Sequence, residues 1–217
     1  MLRITKHRAI IFAFALLFLF VARISTQAET YSLQPESKTD SVYLESKAKL
    51  EFFDATGKDI IGSFEFDPAN PSAGATGILR FDLRTLKTGI DLRDEHMRER
   101  HLQTEKYPHC YYELISVTGM PENLTSDSVY KASGNGWFYI RGVKRELPCE
   151  ISFMQISSGK YAVTATFAVK LDDFDIPRPK AVFMKLAEII EVSTSFVAQS
   201  SASAETVTLP TDWKELK

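Results

Sequence analysis

Residues 161–171, YAVTATFAVKL, carry the pattern that decides the fold. Tyr161, Val163, Ala165, Phe167, Val169 and Leu171 fall on one face of an extended chain, and Thr164, Thr166 and Lys170 fall on the other. A period of two with one apolar face is a half-buried strand. The same alternation sets Leu79, Phe81 and Leu83 against Arg80 and Asp82. It also sets Leu147, Cys149, Ile151 and Phe153 against Glu150 and Ser152, and Ile190, Val192 and Phe196 against Glu191 and Ser195. Weaker versions run through residues 42–53, 60–67, 110–118 and 129–141, which makes eight strands and an all-β chain.

Most links between these strands are short and rich in turn formers: residues 55–58 (ATGK), 68–74, 121–123 (PEN) and 141–144 (RGVK). Consecutive strands therefore pair as antiparallel hairpins. The long interruption, residues 88–108, contains DLRDEHMRER (91–100), with acids early and bases late as a helix dipole prefers. A short helix is expected there, between the third and fourth strands, crossing one end of the sheet. Pro177 and Pro179 open a second loop, 175–185, where another helical turn is expected. Eight meandering strands close into a barrel or split into a sandwich, and closure leaves no unpaired edge. The inner faces mix large groups (Phe64, Phe66, Phe138, Phe153) with small ones (Ala48, Gly62, Ala132, Gly134, Gly136, Ala165, Thr194, Ala198). An eight-stranded interior is either filled by side chains or holds one small ligand, and the pattern admits a cavity or a tapered, filled core.

Composition narrows the function. The 217 residues are 44% hydrophobic with 10 Gly and 9 Pro, enough for a single packed domain and unlike a disordered or collagen-like chain. With 26 basic and 28 acidic residues there is no charge excess to draw the chain onto nucleic acid. Residues 1–28 read as a secretory signal peptide: Arg3, Lys6 and Arg8 precede an apolar run, 9–22, and Thr26 and Ala28 are small residues placed for cleavage. That run is shorter than the roughly 20 residues a membrane-spanning helix needs. Cleavage after Ala28 would leave 22 basic against 28 acidic residues, a formal charge of −6, with no segment spanning a membrane. A periplasmic location follows as the expectation.

The segments TGIDLRDEHMRERHLQTEKYPHC (88–110) and GWFYIRGVKRELPCEISF (136–153) resemble the YceI-like family of exported lipocalin-like barrels. The family pattern has an Arg-Asp-x-His-Leu segment, a Tyr-Pro opening the next strand, and a hairpin ending Gly-Val-x-Lys. Arg93, Asp94, His96, Tyr107, Pro108, Arg141, Gly142, Val143 and Lys144 match it, and Met97 stands for the usual Leu. Two departures stand out. Residues 41–53 (SVYLESKAKLEFF) lack the family's histidine, and residues 171–175 (LDDFD) lack the Arg and Gly of its Arg-x-Asp-Phe-Gly loop.

The resemblance implies an eight-stranded antiparallel barrel over residues 41–199, after an N-terminal extension at 29–40 and before a polar tail at 200–217. It further implies a polyisoprenoid or similar fatty amphiphile as partner, and a habit of forming homodimers. For such a ligand the expected lining is Phe64, Phe66, Phe81, Phe138, Ile140, Phe153, Phe167 and Val169, with Arg93, Asp94, His96, Met97 and Tyr107 as the mouth motif. The alternative is a barrel that binds no ligand and serves structure or protein contacts.

No cofactor and no catalytic residue are expected. His96, His101 and His109 lie within 14 residues, but on a helix His96 and His101 diverge by about 140°, which does not make a metal face. Arg93 and Asp94 are assigned to hydrogen-bonding the helix and its loops, and no nucleophile with an activating base stands out. Asn123-Leu124-Thr125 is read as an ordinary turn. Trp137 and Tyr139 face outward, to be covered by the tail or a neighbouring subunit. Hairpin registers set Cys110 opposite about Phe138 and Cys149 opposite about Trp137, on the two sides of one strand. Residues a whole strand apart are about 9–10 Å apart at Cα, beyond the roughly 7 Å limit for a disulfide, so two buried, unbridged thiols are expected.

Overall fold

The structure, a computed structural model, describes residues 28–33, 41–47, 52–178, 180–181, 184–185, 187–201, 207–209, 211 and 214–215. All of the expected signal peptide but Ala28, and residues 34–40 of the expected extension, lie outside the described residues.

In chain order the strands are β1 (Glu29–Leu33), β2 (Ser41–Lys47), β3 (Phe52–Gly57), β4 (Ile60–Phe66), β5 (Ala75–Asp82), β6 (His109–Thr118), β7 (Val129–Ile140), β8 (Val143–Ser157), β9 (Lys160–Lys170), β10 (Lys180–Ala181), β11 (Met184–Lys185), β12 (Ile189–Ser200) and β13 (Lys214–Glu215). A closed antiparallel ring of eight runs β1-β4-β5-β6-β7-β8-β9-β12 and back to β1. Seven of the eight are strands that the alternation marks. The eighth is not residues 42–53 but β1, expected to lie outside the barrel. Tyr31 pairs with Phe64 on one side and Ser200 on the other, which seals the ring.

Residues 42–53, expected as one strand, form parts of two: β2 pairs antiparallel with β3, Val42 opposite Gly57. This hairpin also takes part of the edge of β12, Val42 pairing with Thr194 and Glu45 with Glu191. β12 thus divides one edge between two partners, with β1 on residues 198–200 and β2 on residues 191–195.

The expected helix is α1 (Asp91–His96), between β5 and β6, and it continues as a π-helical turn, Met97–Leu102, ended by Gln103 in the left-handed conformation. The helical turn expected within 175–185 lies just before that loop, as a 3-10 turn at Leu171–Phe174, and the described residues of the loop hold the small β10–β11 hairpin instead. Asp175 stands where the family pattern has Gly and takes the left-handed φ of 54° that Gly adopts easily. The missing loop Arg is replaced from elsewhere: Arg141 donates to the Asp175 carbonyl and Arg145 to that of Asp173.

Asp94 anchors the helical segment. It is 1% exposed, and its Oδ1 accepts from the Thr88 backbone N–H at 2.7 Å and the Thr88 hydroxyl at 2.6 Å. Arg93 donates from Nε to Thr88 Oγ1 and from a terminal nitrogen to the Thr88 carbonyl, each at 2.8 Å. Burial pushes the Asp94 carboxyl up, but the two Thr88 hydrogen bonds, with Lys87 and Arg98 nearby, outweigh it and hold the group below its ordinary value.

The outer aromatic belt is covered from within the chain. Tyr111 and Tyr139 are buried beside Val207 of the tail, with Trp137 and Leu209 packed at the margin and Lys144 Nζ 4.2 Å above the Trp137 ring. This face therefore needs no second subunit to shield it. The tail returns again as β13, parallel to the start of β8.

Cys110 and Cys149 are both buried and unbridged. Their registers differ from the expected ones: Tyr112, two residues past Cys110, is the residue opposite Phe138, and Cys149 lies opposite Gly134. The β7–β8 ladder is regular from Val129↔Met154 to Ile140↔Val143, so its turn centres between Arg141 and Gly142 and not at Val143, and the β6–β7 turn likewise centres past Leu124.

Two outcomes follow. Asp94→Ala should lower unfolding stability by about 1–3 kcal/mol at neutral pH, because the Thr88 donors lose a buried acceptor. A carboxyl with a depressed folded value contributes above its unfolded pKa and loses that contribution as pH falls through the folded one. Urea melts from pH 7 to pH 3 should therefore show the gap between wild type and variant narrowing. Thiol titration in denaturant without reductant should count two free thiols in the protein as isolated.

Candidate functional site

The interior of the ring is divided. One half encloses a cavity of about 430 Å³, and the other is filled by rings. The cavity walls come from Val42 and Leu44 of β2, Ile60 of β4, Leu79 and Phe81 of β5, Cys110 and Tyr112 of β6, Phe138 and Ile140 of β7, Phe167 and Val169 of β9, and Ile190, Val192 and Thr194 of β12. Each contributes from the inward face of a strand, which is why a cavity this apolar can form inside an alternating sequence. Phe138 packs against Phe167 at 5.3 Å and Phe174 at 5.5 Å between ring centroids, and Phe167 meets Tyr112 at 5.5 Å, giving one aromatic side wall.

The floor is aromatic as well. Phe64 of β4 stacks on Phe196 of β12 with centroids 5.5 Å apart and planes 3° from parallel. Beyond them Tyr31, Phe66 and Tyr161 form a mutually contacting trio at 5.5–6.0 Å. This cluster plugs the end of the barrel that β1 closes.

Of the eight expected lining residues, the structure brings Phe81, Phe138, Ile140, Phe167 and Val169 to the cavity. Phe64, Phe66 and Phe153 are not in its lining: the first two build the floor, and Phe153 packs on Tyr130 at 5.4 Å. Nor do Gly136 and Ala165, read as small residues that leave room, border the cavity. A Cβ at Gly136 would stand 2.2 Å from the Glu113 carbonyl oxygen, so this glycine serves the close approach of β6 to β7.

The mouth lies under the helical segment. Met97, Leu102, Leu171 and Ile176 roof it, and Arg93, His96 and His101 are the ionisable side chains at its border. His101 Nδ1 donates to the Pro177 carbonyl at 2.7 Å, joining the π-helical turn to the second loop across the opening. Of the mouth motif, Arg93, His96 and Met97 face the cavity. Asp94 is buried in the Thr88 network, and Tyr107 lies in a separate hollow with Arg141, Gly142 and Asp175. Ile90 and Leu92 at the rim are 55% and 61% exposed. Among the described residues no three His, Cys, Asp or Glu side chains gather as metal ligands.

The strand residues of the lining are uncharged, and Arg93 at the mouth is the charged one among the lining side chains. Burial pushes the Cys110 thiol up to about 12, so it is protonated at neutral pH. Burial also raises the Tyr112 phenol, whose O–H donates to the Leu147 carbonyl at 2.6 Å. Sequence reasoning passed over Val42, Leu44, Ile60, Leu79, Ile190, Val192 and His101 as lining. The aliphatic ones carry the alternation signal, but aromatic residues were given precedence over them.

The fold has close solved counterparts. BcnA of Burkholderia cenocepacia superposes with a TM-score of 0.61 at 13% identity, covering 74% of this chain and 96% of that one. A polyisoprenoid binding domain from Saccharophagus degradans gives 0.60 at 15% identity, covering 79% and 98%. A Campylobacter jejuni YceI protein gives 0.56 at 17% identity, covering 71% and 89%. No curated protein matches the sequence. The YceI-like domain matches residues 31–198, from the strand that seals the ring to the last inward residue of β12. With that span and a barrel of the same architecture, the chain belongs to the YceI-like family.

Proposed function

We propose that the protein binds and carries a polyisoprenoid or similar long amphiphilic lipid, its chain held in the barrel, in the periplasm after export through residues 1–28. The observation that supports this is the apolar cavity of about 430 Å³ inside a closed ring, bordered at the mouth by the exposed Ile90 and Leu92. The Saccharophagus degradans counterpart is itself described as a polyisoprenoid binding domain. At about 30 Å³ per water-sized group, the space holds roughly 14 non-hydrogen atoms, about three isoprene units. A longer chain would continue out through the mouth, where Ile90 and Leu92 offer it an apolar surface. Each buried CH₂ contributes about 0.8 kcal/mol, so binding should be governed by apolar area and insensitive to salt.

Binding, not catalysis, fits the chemistry of the lining. Among the described residues Cys110 is the one thiol that borders the cavity, and burial keeps it protonated. A purely structural barrel would have a filled interior, and this one is filled in only one half.

Native mass spectrometry of protein isolated from its own host, followed by solvent extraction, should reveal a long apolar molecule. Val192→Phe places a phenyl ring in the middle of the cavity. It should cost about 3 kcal/mol of lipid affinity, roughly a hundredfold, in a variant that still melts cooperatively. A folded Val192→Phe protein with wild-type lipid content would refute the reading.

A further inference from the structure

The rim of the mouth holds two large apolar side chains out in solvent. Of the exposed large apolar residues among those described, Ile90 and Leu92 are the two that also border the cavity. Scattered exposed apolar groups are ordinary on a protein surface, but this pair continues the apolar wall of an enclosed space out to its opening. The chain there stands clear of the body: Gly89 takes a φ of 79°, and a Cβ placed on it would meet nothing within 4 Å. Its base is nevertheless fixed. Thr56 and Lys87 exchange both backbone hydrogen bonds, at 2.9 and 2.8 Å, and the Asp94 N–H donates to the Ile90 carbonyl at 2.9 Å. Ile90 and Leu92 are thus presented to water from a firm support, at a cost in exposed apolar area that covering them would recover.

Two side chains are a small part of the roughly 1,200 Å² that a specific protein interface buries, whereas shallow insertion into the headgroup boundary of a bilayer needs only a few apolar groups. Charge points the same way. Residues 87–100 carry Lys87, Arg93, Arg98 and Arg100 against Asp91, Asp94, Glu95 and Glu99, so the segment has no net charge with which to select a charged protein or an anionic surface. A water-insoluble guest sits in a bilayer before it is bound, and the mouth that Ile90 and Leu92 border is where it enters. We propose that this mouth docks on a lipid bilayer, with Ile90 and Leu92 inserted among the headgroups, so that a chain passes from membrane to cavity without crossing water. Insertion is driven by apolar area and is the same on zwitterionic and anionic lipid. The other end of the barrel stays in solvent; Val129 is exposed there, at the end of β7 away from Ile140 and the mouth.

This inference rests on the lipid-binding reading, and the experiment reads the two apart. A cysteine is introduced between the two side chains, as Asp91→Cys, or at the other end, as Val129→Cys, and labelled with nitrobenzoxadiazole in the full chain. Cys110 and Cys149 are buried and stay unlabelled. Adding phosphatidylcholine vesicles should shift the emission at position 91 to the blue and raise it several-fold, equally in high and low salt, and leave position 129 unchanged. Introducing Ile90→Asp and Leu92→Asp into the Asp91→Cys chain should raise the vesicle concentration needed for half the change by about tenfold or more. No change at position 91, a change at both positions, or a change lost in high salt would overturn the docking. So would a change at position 91 that follows protein concentration without vesicles, as a second copy seated on the rim would give. Farnesol titrated from solution into the delipidated wild type reads the cavity alone. Farnesol uptake with no change at position 91 leaves the lipid reading standing without the docking; a change at position 91 with no farnesol uptake removes the lipid reading while the rim still meets the membrane.

Discussion

Everything in this molecule depends on the antiparallel pairing of five residues, Glu29–Leu33, with β4 and β12 at once. Without that strand the sheet has two edges, with inward apolar faces and open backbone groups, a form that neither encloses a cavity nor stays monomeric easily. With it the ring is complete. The same strand supplies Tyr31, whose ring joins Phe66 and Tyr161 in the plug. One short element therefore both closes the wall and fills one end, and the cavity is what remains on the other side.

The helical segment completes the opposite end by a different kind of interaction. Its roof is apolar, through Met97 and Leu102, but its position is set by polar contacts: Asp94 with Thr88, Arg93 with Thr88, and His101 with Pro177. The floor is held by aromatic packing among strands distant in sequence, and the mouth by hydrogen bonds within and between loops. Packing of the first kind is dense and hard to rearrange. Loop contacts of the second kind open at lower free energy, so mobility concentrates where a ligand must pass.

Much of this was legible in the chain itself. The alternation in residues 161–171 and 190–196 marks β9 and β12 and their inward faces, and the charge order in 91–100 marks α1. What the sequence hid has physical causes. Residues 29–33 (ETYSL) offer only Tyr31 and Leu33 as an inward pair, too short a pattern to declare a strand whose stability comes from two neighbours. Residues 48–51 (AKLE), between β2 and β3 in the chain, contain no Gly, Pro or Asn, so residues 42–53 read as one strand. The turns centre elsewhere than the chain's turn formers suggest, between Arg141 and Gly142 and not at Val143, and beyond Leu124 toward Thr125 and Ser126, and this displaces the cysteine registers. Which half of the interior is filled was also beyond reach, since Phe64 and Phe81 carry the same pattern and differ only in which distant rings meet them.

The divided edge of β12 shapes the bore. Near the floor β1 joins β12 to β4, and near the mouth the β12 edge is taken by β2 of the β2–β3 hairpin. A tube plugged by rings at one end has a kinetic corollary: arrival and departure use the same aperture. A donor and a recipient cannot both be seated there, so any handover runs as two successive encounters, with the guest fully committed to the protein between them.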